Sequence, residues 1–181
     1  MERLQADFFR RDVLEVAPGL LGCFLCRKTE EGIIRQQLIT EVEAYRGEED
    51  LACHARAGKT LRTAVMYKPG GVLYVYLIYG MYWMLNIVTG PPEHPQAVLI
   101  RGTEDYAGPG ILTRELSIDG TFNTVDIIHS DRIWIRAGEK VTYDTLPRIG
   151  VDYAGDYWKN VPWRYRIKCC LSWPGGPGRQ G

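Results

Sequence analysis

The chain has little of several things that would define it at once. Its 181 residues carry no net charge, with 22 Lys and Arg against 22 Asp and Glu, so bulk electrostatics points to no polyanionic partner. The N-terminal stretch is broken by Glu2, Arg3, Asp7, Arg10, Arg11, Asp12 and Glu15, which leaves no apolar core for a secretory signal and predicts an intracellular protein. The uncharged run from Val72 to Thr89 falls short of the ~20 apolar residues of a spanning helix and has Tyr79-Gly80 at its centre, so no membrane is expected. The 5 cysteines are an odd set with no disulfide framework, which fits reduced thiols. Cys23-x-x-Cys26 has a spacing found in zinc sites, but on a strand that odd offset sends the two sulfurs to opposite faces. No metal and no cofactor is therefore expected. Repeats, linkers and low-complexity segments are absent up to the Gly/Pro-rich stretch at Pro174–Gly178, which predicts one domain over 1–173 and a flexible tail over 174–181.

What is present is concentrated in two places. Tyr74-Val75-Tyr76-Leu77-Ile78-Tyr79-Gly80-Met81-Tyr82-Trp83 crowds aromatic rings around one glycine, a density that suits a surface on which something flat stacks. Just before it, acids are missing altogether. From Leu51 to Pro92 there is no Asp or Glu, while Arg56, Lys59, Arg62 and Lys68 are basic. Such a local cationic stretch can bind phosphates on a neutral molecule, or it can be a solvated loop balanced by acids elsewhere.

The rest reads as strands with short links. Val13, Leu14 and Ala17 have helical spacing, interrupted at Pro18-Gly19. Cys23–Lys28 and Ile33–Tyr45 form an antiparallel hairpin around Glu30-Glu31-Gly32, and Gly71–Tyr79 with Met81–Val88 forms a second that turns at Tyr79-Gly80. Ala97–Arg101, Arg132–Ile135 and Trp163–Cys170 are further strands, Gly110–Ser117 is a short helix, and Leu51–Thr63 is irregular. With no βαβ rhythm, the expected class is α+β: a single domain on a curved antiparallel β-sheet with peripheral helices and a protruding β-hairpin.

Chemistry-bearing residues fall on these elements. Glu43 and Tyr45 share one strand face, and unbroken alternation would add Ile39 and Glu41 to it. A carboxylate beside a ring at a strand end can serve as a general base next to a flat substrate, or it can be a solvated Glu. Arg101 emerges from the aliphatic run Ala97–Ile100 and needs an anionic partner, for which Glu43 is the candidate. His54 is a structural or functional loop histidine, and Cys53 beside it is no nucleophile, because sequence neighbours on a loop seldom align as nucleophile and base. Tyr76 and Tyr79 can serve one site only if the chain turns between them.

Taken in order, these segments resemble the single-domain alkyladenine (3-methyladenine) DNA glycosylases. Glu41-Val42-Glu43-Ala44-Tyr45 resembles the family's E-x-E-A-Y segment, and Ala52-Cys53-His54 with Gly58-Lys59-Thr60-Leu61-Arg62 its histidine loop. Leu73-Tyr74-Val75-Tyr76, Tyr79-Gly80-Met81 and Asn86 resemble its hairpin. Val98–Arg101 resembles its V-L-[LI]-R strand, and Pro147–Val151 its P-R-I-G-[VI] turn. The resemblance implies that Glu43 deprotonates the attacking water with help from Arg101, and that Tyr45, His54 and Tyr76 sandwich an extruded base. It implies that Asn86 excludes the exocyclic amine of guanine, that Met81 and Leu99 shape the surroundings, and that Tyr79 enters the duplex. Arg101 is expected to keep Glu43 ionised.

The implied partner is double-stranded DNA containing damaged purines, acted on by a monomer; Arg56, Lys59, Arg62 and Lys68 are its expected phosphate contacts. Some positions depart from the pattern: Ala55 replaces a serine, Thr63 an asparagine and Ile111 a lysine, and the segment after Glu104 is short. The alternatives are a lesion-binding module without base release, and a hydrolase of free nucleosides that would need neither Tyr79 nor the cationic loop.

Overall fold

The computed structural model describes residues 2–168. Two short N-terminal helices, α1 (Ala6–Phe9) and α2 (Val13–Leu20), precede the hairpin of β1 (Phe24–Lys28) and β2 (Ile34–Arg46). The expected break at Pro18 does not occur. Asp12 caps α2 by accepting from the Leu14 N–H, and Val13, Val16, Ala17 and Leu20 are all buried, so packing holds the last turn although Pro18 lacks a donor. The second hairpin is β3 (Leu73–Ile78) and β4 (Tyr82–Val88), followed by β5 (Gln96–Thr103), α3 (Pro109–Glu115), β6 (Ile133–Arg136), β7 (Tyr143–Leu146), α4 (Gly155–Asn160) and β8 (Arg164–Ile167). The sequence reading missed β7, whose residues are half or fully exposed, and α4, which buries none. Cys169, Cys170 and the tail over 174–181 lie outside the described residues.

Every pairing is antiparallel, and the strand order is β3-β4-β5-β2-β1-β6, with β8 joining β2 to β7. The long β2 is shared: its first half pairs with β1, and Glu41–Glu43 pair with β8. The curled sheet and its helices give the expected α+β architecture. One face carries the main core, where α2 and α3 pack over Ile39, Val42, Ala44, Leu85, Ile87, Val98 and Ile100. The other face is covered by a smaller cluster from the 3-10 turns His54–Ala57 and Ala64–Tyr67, with Tyr74, Val88 and Ala97. The turn His54–Ala57 orders part of Leu51–Thr63, the stretch read as irregular. Cys23 and Cys26 are buried free thiols bonded to the Gly19 and Phe24 carbonyls, and only Cys23 faces the main core.

Candidate active site

Register builds the site. Glu43 pairs with Leu99, Leu99 with Asn86 and Asn86 with Tyr74, so one row of side chains crosses four strands on the face opposite the main core. Tyr45 opposite Ala97, and Tyr76 opposite Met84, extend this row on either side. Alternation fails only at Ile39. A paired irregularity, with Thr40 extra on β2 and Arg101 extra on β5, turns Ile39 into the core rather than onto the Glu43 face. The expectation that Ile39 shares that face is thus corrected.

Between the sheet and the overlying turns lies a cavity of about 410 Å³, lined by Tyr45, His54, Arg56, Tyr74, Tyr76, Tyr79, Asn86, Leu99, Arg101, Ile149, Gly150, Val151 and Tyr153 among others. Glu43 sits under its floor, fully buried. Its Oε2 accepts from the Tyr45 hydroxyl at 2.8 Å and from Arg101 Nη1 at 3.3 Å, and its Oε1 accepts from the Ile149 N–H at 2.8 Å. Burial raises the Glu43 pKa and outweighs these three partners, each of which lowers it. Arg101 is the strongest of these opposing influences, as a counter-charge should be, but burial outweighs it and the net shift is upward.

The walls are neutral aromatics. The His54 and Tyr76 ring centroids are 4.6 Å apart, and His54 Nδ1 lies 2.9 Å from the Tyr74 hydroxyl. Burial, with Arg62 and Arg56 nearby, pushes the His54 pKa down to about 4, so the ring is uncharged at neutral pH. Asn86 donates both amide hydrogens to backbone carbonyls, to Tyr74 at 3.1 Å and to Met84 at 3.2 Å, which fixes its orientation. Behind Tyr45 stands a buried ion pair. Arg148 donates to both Asp50 oxygens, at 2.6 and 2.9 Å, and its guanidinium lies 4.8 Å from the Tyr45 ring centroid.

At the mouth, Tyr79 is 85% exposed on the hairpin tip, with φ of 53° followed by 69° at Gly80. Positive φ at both positions is what a tight hairpin turn with strand-like twist requires, but for tyrosine it is strained. Met81 differs from its expected place: it lies on the same exposed turn, outside the cavity lining, and the methionines lining the cavity are Met66 and Met84. Among the cations, Arg56 lines the cavity and stacks on Tyr153, and Arg62 lies 5.2 Å from the Tyr76 ring centroid. Lys59 is tied to Glu93 at 2.7 Å, an acid just beyond the acid-free stretch, and Lys68 is exposed and off the cavity. Thr63 accepts from the Thr60 N–H and donates to the Gly58 carbonyl, closing its loop without an asparagine.

Sequence reasoning missed Tyr74, Tyr153, the Ile149 N–H and the structural role of Arg148. Tyr74 shares strand parity with Tyr76 and was findable. A backbone donor such as Ile149 N–H leaves no side-chain signal.

An aromatic-walled cavity over a buried carboxylate, with a strained tyrosine at its mouth, has the build of a site that receives a flat heterocycle. The methylpurine-DNA glycosylase (MPG) family profile matches residues 7–107 and 103–170, the two ranges meeting at the short turn after β5. Relatives named as candidate 3-methyladenine DNA glycosylases include one from Legionella pneumophila (strain Corby), 43% identical over 93% of this chain and 96% of its own length. Another, from Borreliella burgdorferi (strain ZS7), is 42% identical over 89% of this chain and 94% of its own, and one from Psychrobacter cryohalolentis is 40% identical over 84% and 86%. The chain belongs to the methylpurine-DNA glycosylase family, whose members are N-glycosidic bond hydrolases.

Proposed function

We propose that this chain is a monofunctional glycosylase that flips alkylated or deaminated purines out of double-stranded DNA and hydrolyses their glycosidic bond, initiating base excision repair. The substrate class is 3-methyladenine, 7-methylguanine, hypoxanthine and ethenoadenine. The observation that carries this reading is Glu43, buried beneath an aromatic cavity and held by Tyr45, Arg101 and the Ile149 N–H.

In the proposed reaction Tyr79 fills the gap in the duplex while the base turns into the cavity. Flipping costs a few kcal/mol, least at damaged pairs. Stacking at ~1–3 kcal/mol per base–aromatic contact offsets it. Glu43 takes a proton from water as the water oxygen bonds to C1′ and the C1′–N bond breaks, with its electron pair leaving on the purine. An N3- or N7-alkylated purine is cationic and departs neutral without an acid, so one carboxylate suffices where glycosidases ordinarily use two. Among the described residues no lysine lines the cavity, which favours water over an amine as nucleophile. Asn86, clamped by two carbonyls, cannot swing aside and would select against the amine of guanine. 7-Methylguanine then depends on the weakness of its own glycosidic bond.

The test compares base release from duplexes carrying hypoxanthine, ethenoadenine or alkylated purines with release from the matching free nucleosides. Release from duplex alone is expected. Tight lesion binding without release would make the protein a binding module, and equal release from free nucleosides would make it a nucleoside hydrolase.

A further inference from the structure

The buried Glu43 is served by two partners from different parts of the chain, Arg101 on β5 and the Ile149 N–H in the 147–151 turn. Neither stands alone. Arg101 is the extra residue of an irregular pairing, facing β2 between Glu41 and Val42, and its Nε lies 3.6 Å from Glu41 Oε1 while its Nη1 reaches Glu43. Glu41 Oε1 also accepts from Arg164 Nη1 at 2.8 Å, and Arg164 Nε donates to the Pro147 carbonyl at 2.8 Å. Arg164 thus links the anchor of Arg101 to the start of the turn that presents the Ile149 N–H. Glu41, Arg101 and Arg164 have side chains only 15–21% exposed, so the network is shielded from solvent.

We propose that Glu41 and Arg164 are positioning residues that hold both partners of Glu43 in place. This rests on Glu43 being the general base. An arginine on a bulge with one carboxylate to hold would have freedom to rotate; between Glu41 and Glu43 it is pinned at both ends. The charged and titratable groups around Glu43 are Glu41 and Tyr45 on its own strand, Arg101 on β5, Arg164 on β8, Arg148 in the turn and Tyr76 on β3. Of these, Arg101 opposes the effect of burial most. Loss of its anchor would let burial raise the Glu43 pKa further, leaving less of the ionised base at a given pH.

The experiment measures single-turnover base release against pH, with lesion affinity and thermal melting alongside. Glu41→Ala is expected to lower the rate at neutral pH by about ten- to a hundredfold through misplacement of the reacting groups, to move the acidic limb to higher pH, and to leave lesion affinity within about twofold. Glu41→Gln keeps the acceptor for Arg164 and should restore most of the rate. In an Arg101→Ala background Glu41→Ala should add little, because it acts largely through that arginine. Where Glu41→Ala does not fold, Glu41→Asp, which draws the carboxylate back by one methylene, should move the limb in the same direction. A wild-type rate with an unmoved limb in Glu41→Ala, or in Glu41→Asp where that variant stands in for it, overturns the proposal. Glu43→Gln run in parallel separates the two claims: if it retains release, the reading of Glu43 fails, and if it abolishes release while Glu41→Ala is silent, only the positioning role fails.

Discussion

Asp50→Asn puts a number on the buried ion pair behind the cavity wall. Both side chains are fully buried, and Arg148 donates twice to Asp50 and also to the Ala44 carbonyl at 3.0 Å. Burial alone would lower the Arg148 pKa, but Asp50 prevails and raises it, so the guanidinium stays charged in the folded protein. The amide keeps the size of the carboxylate and one acceptor, and leaves that charge without its counterion. Breaking a buried pair from one side costs about 3–5 kcal/mol. A domain's whole stability is ~5–15 kcal/mol, so this is a large share of it. At roughly 2–4 °C per kcal/mol for a chain of this size, the melting temperature should fall by about 6–20 °C. Because Arg148 stacks on Tyr45, lesion binding should weaken as well. The assay is urea and thermal unfolding at neutral pH, with the double variant Asp50→Leu/Arg148→Met as control, which should recover much of the loss because it buries no charge. A loss under about 1 kcal/mol in Asp50→Asn would refute the argument that this pair is an obligatory, desolvated unit.

Other outcomes follow from the same geometry. Since burial raises the Glu43 pKa, the acidic limb of kcat/KM for base release should lie above the ordinary glutamate range of about 4.3, and His54, already neutral, should add no second limb between pH 5 and 8. A carboxyl whose pKa is raised on folding contributes stability that is full below its unfolded pKa and is lost as pH rises through the folded value. Wild type should therefore lose stability relative to Glu43→Gln on going from acid to neutral pH, read by urea unfolding at several pH values. Tyr79→Ala removes a side chain 85% exposed, so melting should be unchanged or slightly raised while duplex lesion binding and release fall. In salt titrations of DNA binding, Arg62→Ala should reduce the log–log slope by about 0.9, as expected for one lost phosphate contact, and Lys59→Ala by less because Glu93 already occupies it.

Much of the site was legible because strand periodicity is rigid. The parity of Glu43 with Tyr45 and the turn at Tyr79-Gly80 followed from residue type and spacing, and the partnership of Arg101 with Glu43 followed from the need of a half-buried guanidinium for a carboxylate. Three kinds of feature were not legible. Ile39 was put on the wrong face because the irregularity at Thr40 and Arg101 is a pairing event between strands, invisible along one of them. Pro18 was read as a helix break because its missing donor is a local fact, whereas the packing that carries the helix to Leu20 is tertiary. The upward direction of the Glu43 shift was not legible because its neighbours can be guessed from motifs but its depth cannot; full burial outweighs the lowering by Arg101.

In the proposed reaction the Glu43 carboxylate activates the water that displaces a base held in the cavity above it. Single-turnover release from a lesion-containing duplex, measured for wild type and Glu43→Gln with binding to the same duplex, tests it most directly. Glu43→Gln should release the base about 10²–10⁴-fold more slowly with affinity largely kept, the range that a positioned general base contributes. Release by Glu43→Gln within a few-fold of wild type would contradict it.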